Sequence, residues 1–307
     1  MTDLCNVNGD ILPERAASVP ILDRGFLFGD SVYEVMRTRD GVPFAWREHL
    51  RRLRGSANSI RLELDLDDAG LMRRVQDTIG ATGEGERYVR IIVTRGTGSA
   101  PNIDLAYADG PPNTIILVRS LPTTQGRLSR LQVVPRLRTD PRALDPAIKS
   151  GNYLNNVLGQ AEARAAGATD CLFLNADGFV TEASTANLFA FRGGRLESPP
   201  LSAGLLAGIT RELLIRCARE AGIPIGEVDL SRDDVAAADE LFLSSTLRDI
   251  APVTHVDGQP VSRGAIGPRT AALAEEFGRF AARKVEQEDA PALRLLLGDD
   301  AGPLTGR

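Results

Sequence analysis

Residues 147–191 read AIKSGNYLNNVLGQAEARAAGATDCLFLNADGFVTEASTANLFAF. Lys149 stands out here, because the chain has 36 lysines and arginines together and only two, Lys149 and Lys284, are lysine. So strong a bias implies that most surface cations tolerate arginine, and that a surviving lysine marks a place where a guanidinium will not serve. A primary amine can lose its proton and form an imine with an aldehyde; a guanidinium, with a pKa above ~12, cannot. Composition alone leaves two readings of Lys149 open, a reactive amine and a solvated surface amine. Lys284, in FGRFAARKVEQE, lies at a polar helix end where a lysine is ordinary. After Lys149, residues 153–166 read as a helix with Leu154, Val157, Leu158 and Ala161 on its apolar side and Gly167 at its C-cap. Residues 171–175, 180–182 and 187–191 read as strands, with Asp177-Gly178 as a turn.

Outward from that stretch, residues 4–8 and 11–14 form strands about Gly9-Asp10. Residues 23–25 and 29–30 punctuate the next segment as loops, and Val32, Glu34 and Met36 then alternate with Tyr33, Val35 and Arg37 as in a strand. Asp40-Gly41 signals a hairpin returning over 42–45. Residues 48–61 are helical, with Leu50, Leu53, Ala57 and Ile60 on one stripe; Arg51, Arg52 and Arg54 around it read, unaided, as a solvated face. A helix over 67–79 and a β-branched strand over 87–94 follow, then a Gly- and Pro-rich loop over 95–112, of a length that is usually functional or disordered. Residues 114–119 are a strand. The expected domains are a small N-terminal one over 1–119, a linker over 120–127, a large one over 128–285 and a poorly packed tail over 286–307. The large domain opens with a strand over 128–136. It later holds a helix over 210–221, a strand over 240–244 ending in Ser244-Ser245-Thr246, a hairpin about Asp257-Gly258 and a last helix over 266–284.

Composition narrows the function. A length of 307 residues suits two domains, and 43% hydrophobic with 25% charged residues describes an ordinary globular protein. A net charge of -5 argues against an extended nucleic-acid surface, and no apolar run approaches the ~18 residues of a membrane span. Three cysteines without metal spacing and only two histidines, His49 and His255, argue against a metal centre. An odd cysteine count without a signal peptide points to the cytoplasm.

The motifs DRGFLFGDSVYEVMR, EHLRRL, IKSGNYLNN, TEASTANLF, GLLAGITRELL and SSTLRDIAPV, in this order, resemble the fold-type IV pyridoxal-phosphate enzymes over about residues 4–281. That group includes branched-chain aminotransferases, D-amino-acid aminotransferases and 4-amino-4-deoxychorismate lyases. The resemblance implies an α+β, two-domain fold, with a small α/β N-terminal domain and a larger β-barrel-like C-terminal domain flanked by helices. It also implies a homodimer, with residues of the 26–33 and 95–112 loops crossing between sites.

It assigns roles as well. Lys149 would hold pyridoxal 5'-phosphate as a Schiff base and shuttle the substrate proton. Glu182 would keep the pyridine nitrogen protonated. Arg52 matches the phosphate arginine. Ile209 and Thr210 open a helix suited to the phosphate, and Ser245 and Thr246 would add contacts. Leu206 would press on the ring, and Tyr153 would lie near O3′. Tyr88-Val89-Arg90 resembles the Tyr-x-Arg pattern of the branched-chain branch, where the arginine admits a second carboxylate. The Arg-x-His trap of the D-specific branch is missing from residues 97–102. Even so, residues 32–35 (with Tyr33 toward substrate), 148–150 and 244–246 look more like that branch. Arg248 departs from the small residues usual at its place, as a carboxylate contact or a cover for the pocket mouth. The implied reaction is ping-pong transfer of an amino group between a D-amino acid or an L-branched-chain amino acid and a 2-oxo acid such as 2-oxoglutarate or pyruvate. The alternatives are aminodeoxychorismate lyase-type elimination, against which Arg90 speaks mildly, and a primary-amine transaminase.

Overall fold

Leu4–Val7 (β1) and Asp10–Pro13 (β2) open the computed structural model, which describes residues 3–122 and 128–298. They pair antiparallel, as read from the sequence. Next come the short helix Arg24–Phe28 (α1), Ser31–Arg39 (β3), Val42–Pro43 (β4), Trp46–Ser59 (α2), Asp68–Ala81 (α3), Arg87–Thr94 (β5) and Asn113–Ser120 (β6). The six strands make one sheet in the order β2-β1-β6-β5-β3-β4. Residues 23–25, expected as loop, enter α1, because the Asp23 carboxylate accepts the Phe26 N–H and caps it.

The chain divides into two compact units. Among described residues the first holds 3–122, 148–152 and 282–298, and the second 128–147 and 153–281. This division differs from the expected one at two places: Lys149 belongs to the first unit, and so does the C-terminal stretch. Residues 123–127 of the expected linker and 299–307 of the expected tail lie outside the described residues.

In the first unit, the periodicity of α2 does what its apolar stripe predicts. Leu50, Leu53 and Ala57 are buried. The alternation in β3 sends Glu34 toward α2, where His49 and Arg52 bond it, and Tyr33 to the other face of the sheet. The loop over 95–112 contains only a 3-10 turn, Leu105–Tyr107. Arg24, 2% exposed, reaches into it and donates to the carbonyls of Asn102 (2.6 Å), Ile103 (3.0 Å) and Asp104 (3.4 Å).

The second unit contains Ser129–Leu137 (β7), Leu154–Ala165 (α4), Asp170–Leu174 (β8), Val180–Ala183 (β9), Asn187–Arg192 (β10), Arg195–Ser198 (β11), Ile209–Glu220 (α5) and Ile225–Glu227 (β12). Arg232–Ala236 (α6), Glu240–Ser245 (β13), Asp249–Val256 (β14) and Gln259–Pro260 (β15) follow, and most of Pro268–Lys284 (α7) belongs to it. The order β10-β13-β14-β7-β8-β9 returns to β10 and closes six strands into a barrel. A single register pair, Asn187↔Glu182, makes the closing seam. Leu131, Leu172, Leu188, Leu241, Leu243 and Val253 belong to its buried apolar core.

Helix α4 reverses the expected stripe. Leu154, Val157 and Leu158 are 67%, 57% and 38% exposed, whereas Asn156, Gly159 and Ala163 are buried. Close approach to the sheet decides this: a Cβ on Gly159 would lie 2.3 Å from the Phe173 ring, so only small residues fit there. The expected loose tail departs likewise. Val285–Asp289 forms a π-helical turn and Ala290–Leu297 (α8) a helix, with Val285, Leu293 and Leu297 buried. Among the described residues no helix is long and apolar enough to cross a membrane.

Candidate active site

Lys149 sits in a short extended segment bound to the start of β3. Ser150 bridges Val32, the Tyr33 N–H donates to the Lys149 carbonyl at 2.9 Å, and the Lys149 N–H donates to Ser56 Oγ at 3.1 Å. The main chain is thus fixed on both sides, and the residue is 9% exposed. Its Nζ lies 3.5 Å from Tyr33 Oη and 4.5 Å from the centre of the Tyr33 ring. Arg90 Cζ stands 4.2 Å from that same ring centre, a cation–π contact, and Arg90 Nε is buried without a hydrogen-bond partner. Strand register explains the grouping: Tyr33 pairs with Ile92, so Arg90, two residues earlier on β5, is its diagonal neighbour. Tyr88 is a further two residues back, opposite Arg37. Of the two readings of Lys149, the structure supports the enclosed amine.

On the opposite face of β3, Glu34 is fully buried and receives Arg52 as a fork, Nε and Nη2 each at 2.7 Å, and His49 Nδ1 at 2.7 Å. Burial alone would raise the Glu34 carboxyl, but the charge and hydrogen bonds of Arg52, joined by those of His49, hold it at about 2. For His49, burial leads and lowers the pKa, with the nearby Arg52 and Lys149 charges adding to it against Glu34, so the ring is held toward its neutral form. Arg52 is therefore not one of a row of solvated arginines. Arg51 is exposed, and Arg54 pairs at the surface with Asp68 at 2.6 Å.

In the second unit Glu182 lies on the barrel seam, 5% exposed. Arg138 Nε donates to one carboxylate oxygen at 2.9 Å, and the Leu206 N–H (3.2 Å) and Asn187 Nδ2 (3.4 Å) reach the other. Arg138 in turn bonds Asn155 and Asn156 at the start of α4, just after Tyr153. Asn187 Nδ2 also donates to the Leu206 carbonyl at 2.9 Å. Gly208 must be glycine here, since a Cβ would meet Asn187 Oδ1 at 2.0 Å. As N-cap of α5, Gly208 has no side chain to accept the first-turn N–H groups, at the end that carries Ile209 and Thr210. Ser245 ends β13, with Thr246 half-buried beside it. Arg248 donates to Ser245 Oγ at 3.2 Å and faces Asp170 at 3.5 Å, so this unusual arginine has protein partners of its own.

The structure thus brings Lys149, Tyr33 and Arg90 together, ties Arg52 to β3, and groups Glu182 with Leu206. Sequence reading missed Glu34, His49, Arg138 and Asn187. A carboxylate between two apolar residues of a strand was a usable signal for Glu34, and Asn187 lies within the motif TEASTANLF; nothing local marks Arg138.

Comparison with known proteins fixes the class. Residues 31–256 match the model of the amino-transferase class IV family, and the chain belongs to that family. It is 34% identical to the D-alanine aminotransferase of Listeria monocytogenes over 88% of this chain and 93% of that protein. It is 32% identical to the branched-chain-amino-acid aminotransferase of Salmonella typhimurium over 88% of this chain and 90% of that one. Its fold matches a crystal structure of the branched-chain amino acid aminotransferase from Thermobaculum terrenum in its PLP form, at a TM-score of 0.82 and 26% identity over 93% of this chain and 96% of that one. The chain is thus an aminotransferase of class IV, similar to both branched-chain and D-amino-acid members.

Proposed function

We propose that this aminotransferase uses pyridoxal 5'-phosphate to exchange amino groups between an amino acid and a 2-oxo acid, with Lys149 as its catalytic base. The observation that carries this reading is the enclosed primary amine of Lys149, 3.5 Å from the Tyr33 hydroxyl and beside the Arg90 guanidinium. The donor set suits the cofactor: an enclosed amine for its aldehyde, a buried carboxylate for its ring nitrogen, and an arginine and an uncapped helix start for its phosphate. When bound, the cofactor withdraws electrons from the substrate Cα, so that the Cα proton can leave.

The chain's own groups do the rest. Lys149 anchors the cofactor and then moves the proton to and from the substrate Cα; the Tyr33 phenol orients its amine. Glu182, held by Arg138 and the Leu206 N–H, keeps the ring nitrogen protonated. Arg52, fixed by Glu34, would meet the phosphate, and the N–H groups of Ile209 and Thr210 and the side chains of Thr210, Ser245 and Thr246 would add to its hold. Leu206 would cover the ring and Tyr153 would lie near O3′. Arg90, with Tyr88 on the same strand, receives a substrate carboxylate, and Arg248 stays with Asp170 and Ser245 as a cover for the pocket mouth.

The working form we propose is a cytoplasmic homodimer. Exposed Ile21, Phe26 and Ile103 in the first unit (71%, 64% and 78%), and the outward leucines of α4 in the second, support such burial.

A half-reaction tests the function. D-alanine, D-glutamate, L-leucine and L-glutamate are each added to cofactor-loaded protein, and conversion to the pyridoxamine form is followed by visible absorption. Conversion by the D-amino acids alone gives a D-specific enzyme. Conversion by L-leucine and L-glutamate gives Arg90 its branched-chain role. No conversion by any of the four would sink the proposal.

A further inference from the structure

Lys284 is the second of the two lysines, and the structure removes it from the polar surface expected of it. Its side chain is fully buried, with Nζ 2.8 Å from Glu48 Oε1, 3.0 Å from Asp289 Oδ1 and 3.1 Å from Glu288 Oε2. The π-helical turn at 285–289 makes the geometry possible. With i→i+5 bonding, residues four and five after Lys284 both fall on its side of the helix, so Glu288 and Asp289 converge on one amine. Burial opposes the charge on Lys284, yet the Glu48 and Asp289 carboxylates outweigh it and raise the pKa.

Asp289 has a second task. Helix α2 begins after Ala45, whose backbone is left-handed (φ 55°) and whose side chain cannot cap. The N–H of Ala45 itself finds its acceptor 244 residues away, where Asp289 Oδ2 takes it at 2.9 Å. The Asp289 carbonyl takes the Trp46 indole N–H at 3.1 Å. Ala45, Trp46 and Glu48 are therefore all held from the C-terminal segment. One turn on, His49 bonds back to the Ala45 carbonyl, and Arg52 stands four residues after Glu48 on the same helix face.

We propose that the clasp of Lys284, Glu48 and Asp289 is a positioning device for phosphate recognition, fixing the first turn of α2 and through it the guanidinium of Arg52. The inference rests on the reading of Arg52 as the phosphate arginine. Two observations separate it from simple anchoring. Val285, Leu293 and Leu297 already bury the C-terminal segment by apolar packing. A buried ion cluster is often no more stabilising than an apolar one of the same size, which leaves a defined geometry as what this one adds on our proposal. A fork that must meet a phosphate tolerates only ~0.5 Å of error, and a rigid helix carries a shift of its first turn straight to the second.

The test compares two ligands on the full-length protein stripped of cofactor: pyridoxal 5'-phosphate and pyridoxal, titrated by absorbance. The variants are Asp289→Ala, the size-conserving Asp289→Asn, and Arg52→Gln. Loss of the remote acceptor should weaken pyridoxal 5'-phosphate binding roughly fivefold to tenfold in Asp289→Ala and less in Asp289→Asn, and leave pyridoxal within about twofold. Should Asp289→Ala not fold, as judged by circular dichroism, Asp289→Asn decides on its own. Equal loss for both ligands, or no loss for either, would overturn the inference and leave the cluster as packing. If Arg52→Gln selectively weakens the phosphorylated ligand while the Asp289 variants do not, the inference fails and the Arg52 reading stands. If Arg52→Gln is not selective, the Arg52 reading fails and takes the inference with it.

Discussion

The two lysines of this chain sit in opposite surroundings. Lys149 is enclosed by a phenol, with an arginine on the same ring, and its main chain is sewn to β3. Lys284 is enclosed by three carboxylates. A primary amine set against a phenol can form an imine with an aldehyde; an amine in a carboxylate cage is held as a cation and becomes a structural joint. On the function proposed above, the same residue type serves chemistry at one place and size and shape at the other.

Replacing Lys149 with arginine should break the contrast hardest. Lys149→Arg keeps charge and bulk but removes the amine that can form an imine, so transamination should fall by roughly four orders of magnitude while the thermal transition persists. Steady-state turnover with added cofactor checks this, and retained activity would remove Lys149 from its role. Lys284→Met should act in the other currency, stability. Leaving buried carboxylates uncompensated costs roughly 3–5 kcal/mol, measurable in urea, with turnover at saturating cofactor reduced less than about tenfold.

Titration sharpens the comparison from both ends. Glu34 lies below its ordinary value, so the stability it contributes is present above 4.5 and is lost as the pH falls toward about 2. The depressed His49 acts in the same direction, its contribution present above 6.5 and lost toward acid. Unfolding midpoints of the wild type and Glu34→Gln should converge in acid, by on the order of 3 kcal/mol across that window. Lys284 lies above its ordinary value, so its contribution is complete below 10.5 and fades as the pH rises through the raised value. The deficit of Lys284→Met should therefore shrink in alkali, as the wild-type amine discharges, and also in acid, as the carboxylates left without a partner take up protons. The smallest effect belongs to Lys284→Arg. The guanidinium keeps the charge but overfills the cage, for about 1–3 kcal/mol of destabilisation by thermal denaturation.

Local pattern carried much of the fold into view. The stripe of Leu50, Leu53 and Ala57 gave α2, and the β-branched run gave β5, which spans Arg87–Thr94 as read. Composition singled out Lys149, and the ordered motifs gave the family. What stayed hidden was long-range. The face of α4 depends on how closely Gly159 meets Phe173, which helical periodicity does not encode. The burial of Lys284 depends on a helix start more than two hundred residues earlier, and the seam at Glu182 on a strand pairing that closes a ring. Arg138 orients Glu182 from 44 residues away without any spacing that marks it.

The grip of Arg24 on residues 102–104 carries a consequence for anyone who rebuilds this enzyme. Its guanidinium holds three main-chain carbonyls and no side chain of those residues. The anchor is indifferent to the side chain of Ile103, which can be varied in a library while the loop keeps its path; Asn102 and Asp104 have no such freedom, because their side chains accept the Asp104 and Ala106 N–H groups at 2.9 Å each.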